Sequence, residues 1–176
     1  MLKYQYRITK YDPKNRDDQG RYTKDEWIDF GDIGYEFEGK ELTLGEYAQI
    51  ESKYIKAVIF FMECLETDTL QINGLETYTR PGSGELKKVF NQIRNKMVIK
   101  KDLVPDVIRL ILRNYIWCLL VKENQLHIDY AGNFYIFLAS KKKCTNTIKR
   151  ITNLGLFVEE IIFFDSEEEI IIPKKI

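Results

Sequence analysis

The 176-residue sequence contains one histidine and three cysteines, and these low counts exclude several kinds of site. A histidine-based metal centre needs several ligands at close spacing, so a lone His127 rules this chemistry out. Cys64, Cys118 and Cys144 are widely separated and show no Cys-x-x-Cys spacing. In a cytoplasmic chain such cysteines are expected to be buried thiols. We therefore predict neither a metal nor a cofactor.

Long apolar runs and an excess of charge of one sign are also missing. The longest apolar stretches, at 58–62 and 161–164, are too short to cross a bilayer. The first eleven residues alternate as a β-strand does and do not resemble a signal peptide. Nucleic-acid binders normally carry a basic excess, whereas this chain has 27 basic and 27 acidic residues. The sequence thus predicts a cytoplasmic protein with no membrane or nucleic-acid partner.

Catalytic motifs are missing as well. The sequence lacks a P-loop, the dinucleotide-binding glycine pattern, the hydrolase nucleophile elbow and the zinc-protease motif. His127 and Asp129 share a strand face, but no nucleophile accompanies them. Cys118, flanked by Trp117 and Leu119, is expected in the core rather than beside a base. We predict that the protein is not an enzyme and has no catalytic residues.

What the sequence does contain is the pattern of a globular α+β protein. With 44% hydrophobic residues, the chain is expected to form a single domain over 1–176. Period-two alternation at 2–11 and through 115–139 predicts strands of a mostly antiparallel sheet. Thr43 and Glu46 have the spacing of a capping box, which predicts one long helix over about 44–66. Two or three shorter helices complete the predicted fold.

Glu51 lies within the apolar stripe of the long helix, between Tyr47 and Tyr54. A buried carboxylate must be hydrogen-bonded or ion-paired, or it loses its charge. Two interpretations are open. Glu51 either contacts a small ligand in a pocket between the long helix and the sheet, or is a structural acid held by a tyrosine hydroxyl or by an arginine such as Arg7.

An acidic run near the C-terminus is the second candidate site. Such a run is usually a solvated face, but it also suits a cationic partner, because complementary potentials steer association. We expect a basic protein to contact Asp129 and the members of the run, Glu159, Glu160, Asp165, Glu167, Glu168 and Glu169.

Five stretches of the chain form a recognisable pattern: YRITKYDP at 6–13, EW and DIG within 26–34, LTLGEY at 42–47, LRNYIWC at 112–118 and GLFVEE at 155–160. This pattern resembles a family of small bacterial proteins, some of which are similar to immunity proteins of polymorphic or contact-dependent toxin systems. The resemblance implies a protein that binds the C-terminal domain of a cognate toxin and occludes its active site. It also implies that the segment 7–34 is ordered. The alternative is a small-molecule-binding or regulatory domain with the pocket described above.

Overall fold

The structure of the protein is a computed structural model, which describes residues 2–162 and 172–173. Two short 3-10 helices lie at Pro13–Asn15 and Phe30–Asp32. The helices are α1 (Leu44–Cys64), α2 (Gly84–Gln92), α3 (Val104–Leu112) and α4 (Thr145–Asn153). The strands are β1 (Tyr4–Thr9), β2 (Glu36–Phe37), β3 (Lys40–Glu41), β4 (Thr69–Thr77), β5 (Val98–Lys100), β6 (Ile116–Lys122), β7 (Leu126–Tyr130), β8 (Tyr135–Ser140), β9 (Phe157–Ile162) and β10 (Ile172–Pro173).

Seven strands form a continuous antiparallel sheet in the order β9-β1-β8-β7-β6-β4-β5, and β10 pairs with β9 at one edge. The strands β6, β7 and β8 form the predicted meander. β1 lies between β8 and β9, so the two ends of the described chain meet in the sheet. The predicted α+β class is confirmed.

The long helix α1 begins and ends for local reasons. Thr43 and Glu46 form the predicted capping box. At the other end, the amide of Thr67 donates to the carbonyl of Met62 at 3.0 Å, and Glu66 adopts a left-handed φ of 52°. This is a Schellman-type end, and it stops α1 at Cys64, two residues before the predicted end.

The core lies on one face of the sheet, beneath the helices. Leu120, Ile128 and Leu138 of neighbouring strands are fully buried, and buried residues from Tyr6 to Leu156 belong to one hydrophobic cluster. α1 contacts both α3 and α4, and α2 contacts α3. The opposite face carries Trp117, Asp129 and Phe137 of β6, β7 and β8, all half-buried.

The cysteine prediction was wrong for one pair. Cys64 at the end of α1 and Cys144 before α4 form a disulfide, with Cα atoms 6.1 Å apart across 80 residues. The packing of α4 on α1 brings them together: Thr147 Oγ1 donates to the carbonyl of Phe60 at 3.2 Å. Cys118 is a buried free thiol, as predicted.

Candidate partner-binding surface

The segment after β1 is held against the fold by Lys10. The Lys10 side chain is only 5% exposed, and its Nζ lies 3.0 Å from Oε2 of Glu26. Nζ also lies 4.2 Å and 4.1 Å from the ring centroids of Tyr11 and Trp27. Burial lowers the pKa of the Lys10 ammonium, and the Glu26 carboxylate opposes this shift. Glu26 also accepts a 2.5 Å hydrogen bond from the hydroxyl of Tyr22, so residues 22–27 are ordered on the fold.

Glu159 is a second anchor of the same segment. Its two oxygens accept hydrogen bonds from Arg7 at 2.9 and 3.1 Å and from Arg16 at 2.8 and 3.1 Å. The Glu159 side chain is 14% exposed. Burial disfavours the ionised form, but hydrogen bonds from Arg16 and Arg7 outweigh it and lower the pKa of this carboxyl. Glu159 therefore joins β9 to β1 and to the segment after β1.

The segment 25–46, which follows these anchors, is strongly acidic. It has one basic residue, Lys40, and eight acidic ones, so its formal charge is 1 − 8 = −7 in a chain whose total is zero. The acidic residues are Asp25, Glu26, Asp29, Asp32, Glu36, Glu38, Glu41 and Glu46. We call this segment the acidic segment.

The β2–β3 hairpin places two of these carboxylates opposite each other. Glu36 pairs with Glu41 in the register, and both residues are exposed. Like charges directly opposite each other destabilise a strand pair. The hairpin is therefore under local electrostatic repulsion, which a cation bound between β2 and β3 would relieve.

A groove of about 400 Å³ runs between the hairpin and the start of α1. Apolar side chains, Trp27 and Ile50 among them, form part of its lining. Its charged lining residues are Asp25, Glu26, Glu38, Lys40, Glu41 and Glu46. The only cation among these lining residues, Lys40, is paired with Glu46. The groove thus presents a net negative surface with an apolar floor.

Three members of the acidic segment keep their charge available. Within residues 2–162, Asp25, Glu36 and Glu41 are exposed and form no ion pair. Glu38 reaches Lys24 only at 4.0 Å. Large apolar side chains lie exposed in the same region: Tyr35 (66%), Leu44 (56%) and Ile28 (44%). The acidic segment thus combines available negative charge with exposed apolar side chains.

The structure places the second predicted group, around Glu51, in the interior. Glu51 is 3% exposed, and its oxygens accept from Nε and Nη2 of Arg113 at 2.7 and 2.9 Å. Arg109 lies 3.6 Å away. The structural interpretation of Glu51 is therefore supported, but its suggested partner Arg7 was wrong, because Arg7 binds Glu159 instead.

The two tyrosines predicted beside Glu51 bond to the backbone. The Tyr47 hydroxyl donates to the carbonyl of Leu112 at 2.9 Å, and the Tyr54 hydroxyl donates to the carbonyl of Phe134 at 2.5 Å. Neither tyrosine lines the acidic groove. We assign Glu51, Tyr47 and Tyr54 to the stability of the fold.

The predicted C-terminal acidic run is described only at its start. Glu159 is held by two arginines, and Glu160 forms a 2.7 Å ion pair with Lys143. Asp129 is half-buried on β7. Four predicted contacts lie outside the described residues: Asp165, Glu167, Glu168 and Glu169.

Sequence reasoning missed the acidic segment because its carboxylates are interspersed with glycine and aromatic residues and form no uninterrupted run. A charge sum over 25–46 would have found it. The predicted C-terminal acidic run also differs from the observed surface. Its two described members, Glu159 and Glu160, are both ion-paired, and no local sequence pattern reveals this pairing.

Cys118, the cysteine considered above as a nucleophile, lies inside the fold. Cys118 is buried in the core, and burial raises the pKa of its thiol to about 12, so it is not a nucleophile at neutral pH. Among the described residues, no group of three or more histidine, cysteine, aspartate or glutamate side chains is arranged to hold a metal ion. Of the helices in this part of the chain, not one combines the length and hydropathy of a bilayer crossing.

Comparisons with known proteins add no relative: no family model, no curated protein and no solved structure matches this chain.

Proposed function

We propose that the chain is an immunity protein, which binds the toxic domain of a cognate bacterial toxin, occludes its active site and catalyses no reaction. The observation that carries the proposal is the acidic groove beside the β2–β3 hairpin, with five carboxylates and one already paired lysine. A toxic domain that acts on nucleic acid would use a basic surface to bind the phosphates. An acidic, ordered surface is the complement of such a substrate groove.

The proposed mechanism is steric and electrostatic. The available charges of Asp25, Glu36 and Glu41 attract the basic surface and orient the encounter. Tyr35 and Leu44 then bury their exposed apolar area against the partner. The opposed Glu36 and Glu41 make the free hairpin less favourable than the bound one, because a cation between them removes their repulsion. The toxin's active site becomes inaccessible to its substrate.

The anchors described above explain why this surface is preformed. Lys10 and Glu159 hold the chain before the acidic segment, and the capping box of α1 holds its end. Binding therefore orders few additional residues, and the free energy lost to ordering stays small.

The cytoplasm is the proposed location, since the toxin would act there. A reducing cytoplasm keeps most cysteines as thiols, so the Cys64–Cys144 disulfide of the structure tests this location directly. If the cytoplasm is the location, the disulfide is reduced there, and rapid alkylation of living cells followed by mass spectrometry should find both cysteines alkylated. Recovery of the intact disulfide would assign the protein to an oxidising compartment.

The deciding experiment needs the neighbouring genes to be read first, and is a calorimetric titration against the C-terminal domain of any large secreted protein that they encode. We expect a dissociation constant in the nanomolar range or below. We also expect toxicity to be lost at the molar ratio at which the titration shows binding. A folded and active domain that shows no binding would remove the proposal.

A matched pair of variants tests the surface. The groove variant carries Asp25→Lys, Glu36→Lys and Glu41→Lys; the control variant carries Glu66→Lys, Glu85→Lys and Glu123→Lys. All six positions are exposed, and both variants change the net charge by the same amount. We expect the groove variant to bind at least about 100-fold more weakly, or about 2.7 kcal/mol, and the control to change less than threefold. Equal losses would mean that overall charge, and not the acidic segment, drives binding.

A further inference from the structure

The disulfide between Cys64 and Cys144 joins two helix ends of opposite polarity. Cys64 is the last residue of α1, and Cys144 is the N-cap residue of α4. The C-terminal end of a helix carries a partial negative charge, and the N-terminal end carries a partial positive charge. Each cysteine therefore feels the field of its own helix, which disfavours a thiolate at Cys64 and favours one at Cys144.

The start of α4 gives the Cys144 thiolate a second source of stability. An N-cap side chain usually accepts a hydrogen bond from a backbone amide in the first turn of its helix. Among the described residues, α4 begins without such a bond while Cys144 is part of the disulfide. A released Cys144 thiolate stands where an N-cap side chain accepts this bond. Reduction thus supplies a cap that the disulfide state lacks, which stabilises the reduced form.

The charges of the chain around Cys144 act in the same direction. Residues 141–150 include five basic residues and no acidic one, so their formal charge is 5 − 0 = +5. These basic residues are Lys141, Lys142, Lys143, Lys149 and Arg150. Two carboxylates reach the segment: Glu160 lies 2.7 Å from Lys143. Glu63, which precedes Cys64, lies 2.9 Å from Arg150. Positive charge remains in excess, and neighbouring cations stabilise a thiolate.

The two cysteines also differ in their access to solvent. Cys144 is 2% exposed, whereas Cys64 is half-buried. A small thiol therefore reaches Cys64 more easily. In thiol–disulfide exchange an incoming thiolate attacks one sulfur and displaces the other, and the more stable thiolate leaves faster. Access and charge thus select the same direction, which is attack on Cys64 and departure of Cys144.

We propose that the Cys64–Cys144 disulfide is a site of reversible thiol–disulfide exchange with a small thiol such as glutathione. A glutathione thiol loses its proton to water, and its sulfur forms a bond to Cys64 Sγ. The bond between the two cysteines breaks, and its electron pair goes to Cys144 Sγ. A second glutathione thiolate then attacks the sulfur of the bound glutathione. Oxidised glutathione leaves, and the released Cys64 sulfur takes a proton from water.

Contacts without sulfur hold α4 on α1, so the reduced pair can close again. Thr147 Oγ1 donates to the carbonyl of Phe60 at 3.2 Å. The Cζ atom of Arg150 lies 3.5 Å from the centroid of the Phe60 ring, and its guanidinium pairs with Glu63. Ile151 of α4 is fully buried. These contacts keep the two sulfurs at a high effective concentration after reduction, and excess oxidised glutathione should restore the disulfide.

The exchange site is separate from the acidic groove, since neither Cys64 nor Cys144 lines it. The test uses the purified chain alone, so this inference stands independently of the proposed function. The third cysteine does not interfere. Cys118 is buried, and burial raises the pKa of its thiol to about 12, so it takes no part in exchange at neutral pH.

The test is the kinetics with which glutathione reduces the purified, oxidised chain at neutral pH. N-ethylmaleimide stops the reaction, mass spectrometry counts the thiols, and tryptophan fluorescence shows whether the chain stays folded. We expect a rate that rises in proportion to the glutathione concentration and that urea below the unfolding transition leaves unchanged. A rate that reaches a plateau, or that rises with urea, would mean that only the unfolded chain is reduced. Either result would overturn the proposal.

Peptide mapping of the stopped samples identifies the sulfur that is attacked. We expect the glutathione adduct on Cys64 to exceed the adduct on Cys144 at least about tenfold. Equal amounts, or an excess on Cys144, would overturn the assigned direction of exchange.

A matched pair of lysine variants tests the charges beside Cys144. Lys141→Gln with Lys142→Gln removes two exposed charges from the segment, and Lys87→Gln with Lys88→Gln removes two from α2. The uncharged thiol 2-mercaptoethanol serves as reductant, so that attraction of anionic glutathione does not contribute. We expect reduction to slow at least about threefold in the first variant and less than about 1.5-fold in the second. Equal effects would overturn the assignment of Cys144 as the leaving thiolate.

Variants with one of the two cysteines measure the thiolate directly. Cys64→Ser retains Cys144, and Cys144→Ser retains Cys64. We expect the ultraviolet absorption of a thiolate at neutral pH in Cys64→Ser and none in Cys144→Ser. The reverse result, or equal absorption in both variants, would overturn the proposed asymmetry of the pair.

Discussion

Two groups of carboxylates in this molecule face opposite environments. Glu51 and Glu159 lie largely inside the protein, and each accepts hydrogen bonds from arginine, two of them in the case of Glu159. Asp25, Glu36 and Glu41 lie outside, where no described residue forms an ion pair with them. Arginines of the same chain pair with the first group. The second group has no ion-pair partner among the described residues, and Glu36 and Glu41 lie directly opposite each other in the β2–β3 hairpin.

The difference separates stability from binding. When a carboxylate with a buried cationic partner is replaced, the charge of that partner is left uncompensated. The replacement therefore lowers the free energy of unfolding. An exposed carboxylate without a partner contributes little to folding and keeps its field for an incoming molecule. Substitutions in the two groups should therefore have separate consequences, and four predictions test this from the largest effect to the smallest.

Replacing Glu51 should have the largest effect. Glu51→Ala leaves Arg113 half-buried without its carboxylate, and we expect the free energy of unfolding to fall by about 3–5 kcal/mol. Urea denaturation measures this. The control is Glu63→Ala, which removes exposed ion pairs to Arg150 and Lys101 and should cost less than about 1 kcal/mol. Similar losses in both variants would contradict the assignment of Glu51 to the interior group.

Glu159 should contribute a pH-dependent part of the stability. Its folded pKa lies below the ordinary value of 4.5, so its contribution is present above pH 4.5 and is lost as the pH falls through the folded pKa. At neutral pH we expect Glu159→Gln to unfold with about 2 kcal/mol less free energy than the native chain. The difference in the free energy of unfolding between the native chain and Glu159→Gln, taken from denaturation curves between pH 7 and 3, should shrink as the pH falls. A difference that stays constant over this range would argue against the ion pairs with Arg7 and Arg16.

The exposed group should act on the rate of association. For the groove variant we expect an on-rate for the toxin domain about tenfold lower at low salt, equivalent to about 1.4 kcal/mol. This loss should shrink at high salt, because salt screens exposed charges. Stopped-flow measurements at two ionic strengths give both values. A salt-independent on-rate in the native chain would remove the electrostatic role of the segment.

The smallest effect is an increase in stability. Glu41→Lys places a cation opposite Glu36 in the hairpin, and we expect the free energy of unfolding to rise by about 0.2–1 kcal/mol. Glu66→Lys, at an exposed position after α1, provides the control and should lack this gain. A loss of stability in Glu41→Lys would show that the two carboxylates do not repel each other in the free protein.

Local sequence patterns predicted the elements of the fold well. The start of α1 follows from Thr43 and Glu46, because a capping box needs only residues three apart. The meander β6–β8 follows from period-two alternation and short turns. That the segment 7–34 is ordered was implied by the family resemblance and not by a local pattern, and Trp27 does pack against Tyr47 and Phe134.

Long-range pairing was not predictable in the same way. Glu51 and Arg113 are 62 positions apart, and Glu159 and Arg7 are 152 positions apart. The disulfide joins cysteines separated by 80 residues and depends on how α4 packs on α1. Which distant residues form such pairs is determined by the tertiary structure, and no single stretch of the sequence contains this information. The pairing of Glu159 and Glu160 depends on the whole fold in the same way, whereas the charge of the acidic segment could have been summed from the sequence.

The position of β1 has a consequence for how the protein is made. The two neighbours of β1 in the sheet, β8 and β9, come late in the chain: Thr9 pairs with Tyr135, 135 − 9 = 126 positions later. A nascent chain must therefore expose both edges of β1 until the residues of β8 and β9 have left the ribosome. Unpaired strand edges invite aggregation, and distant pairing slows folding. The pairing of residues 4–9 with β8 and β9 should therefore be among the last steps that complete the sheet.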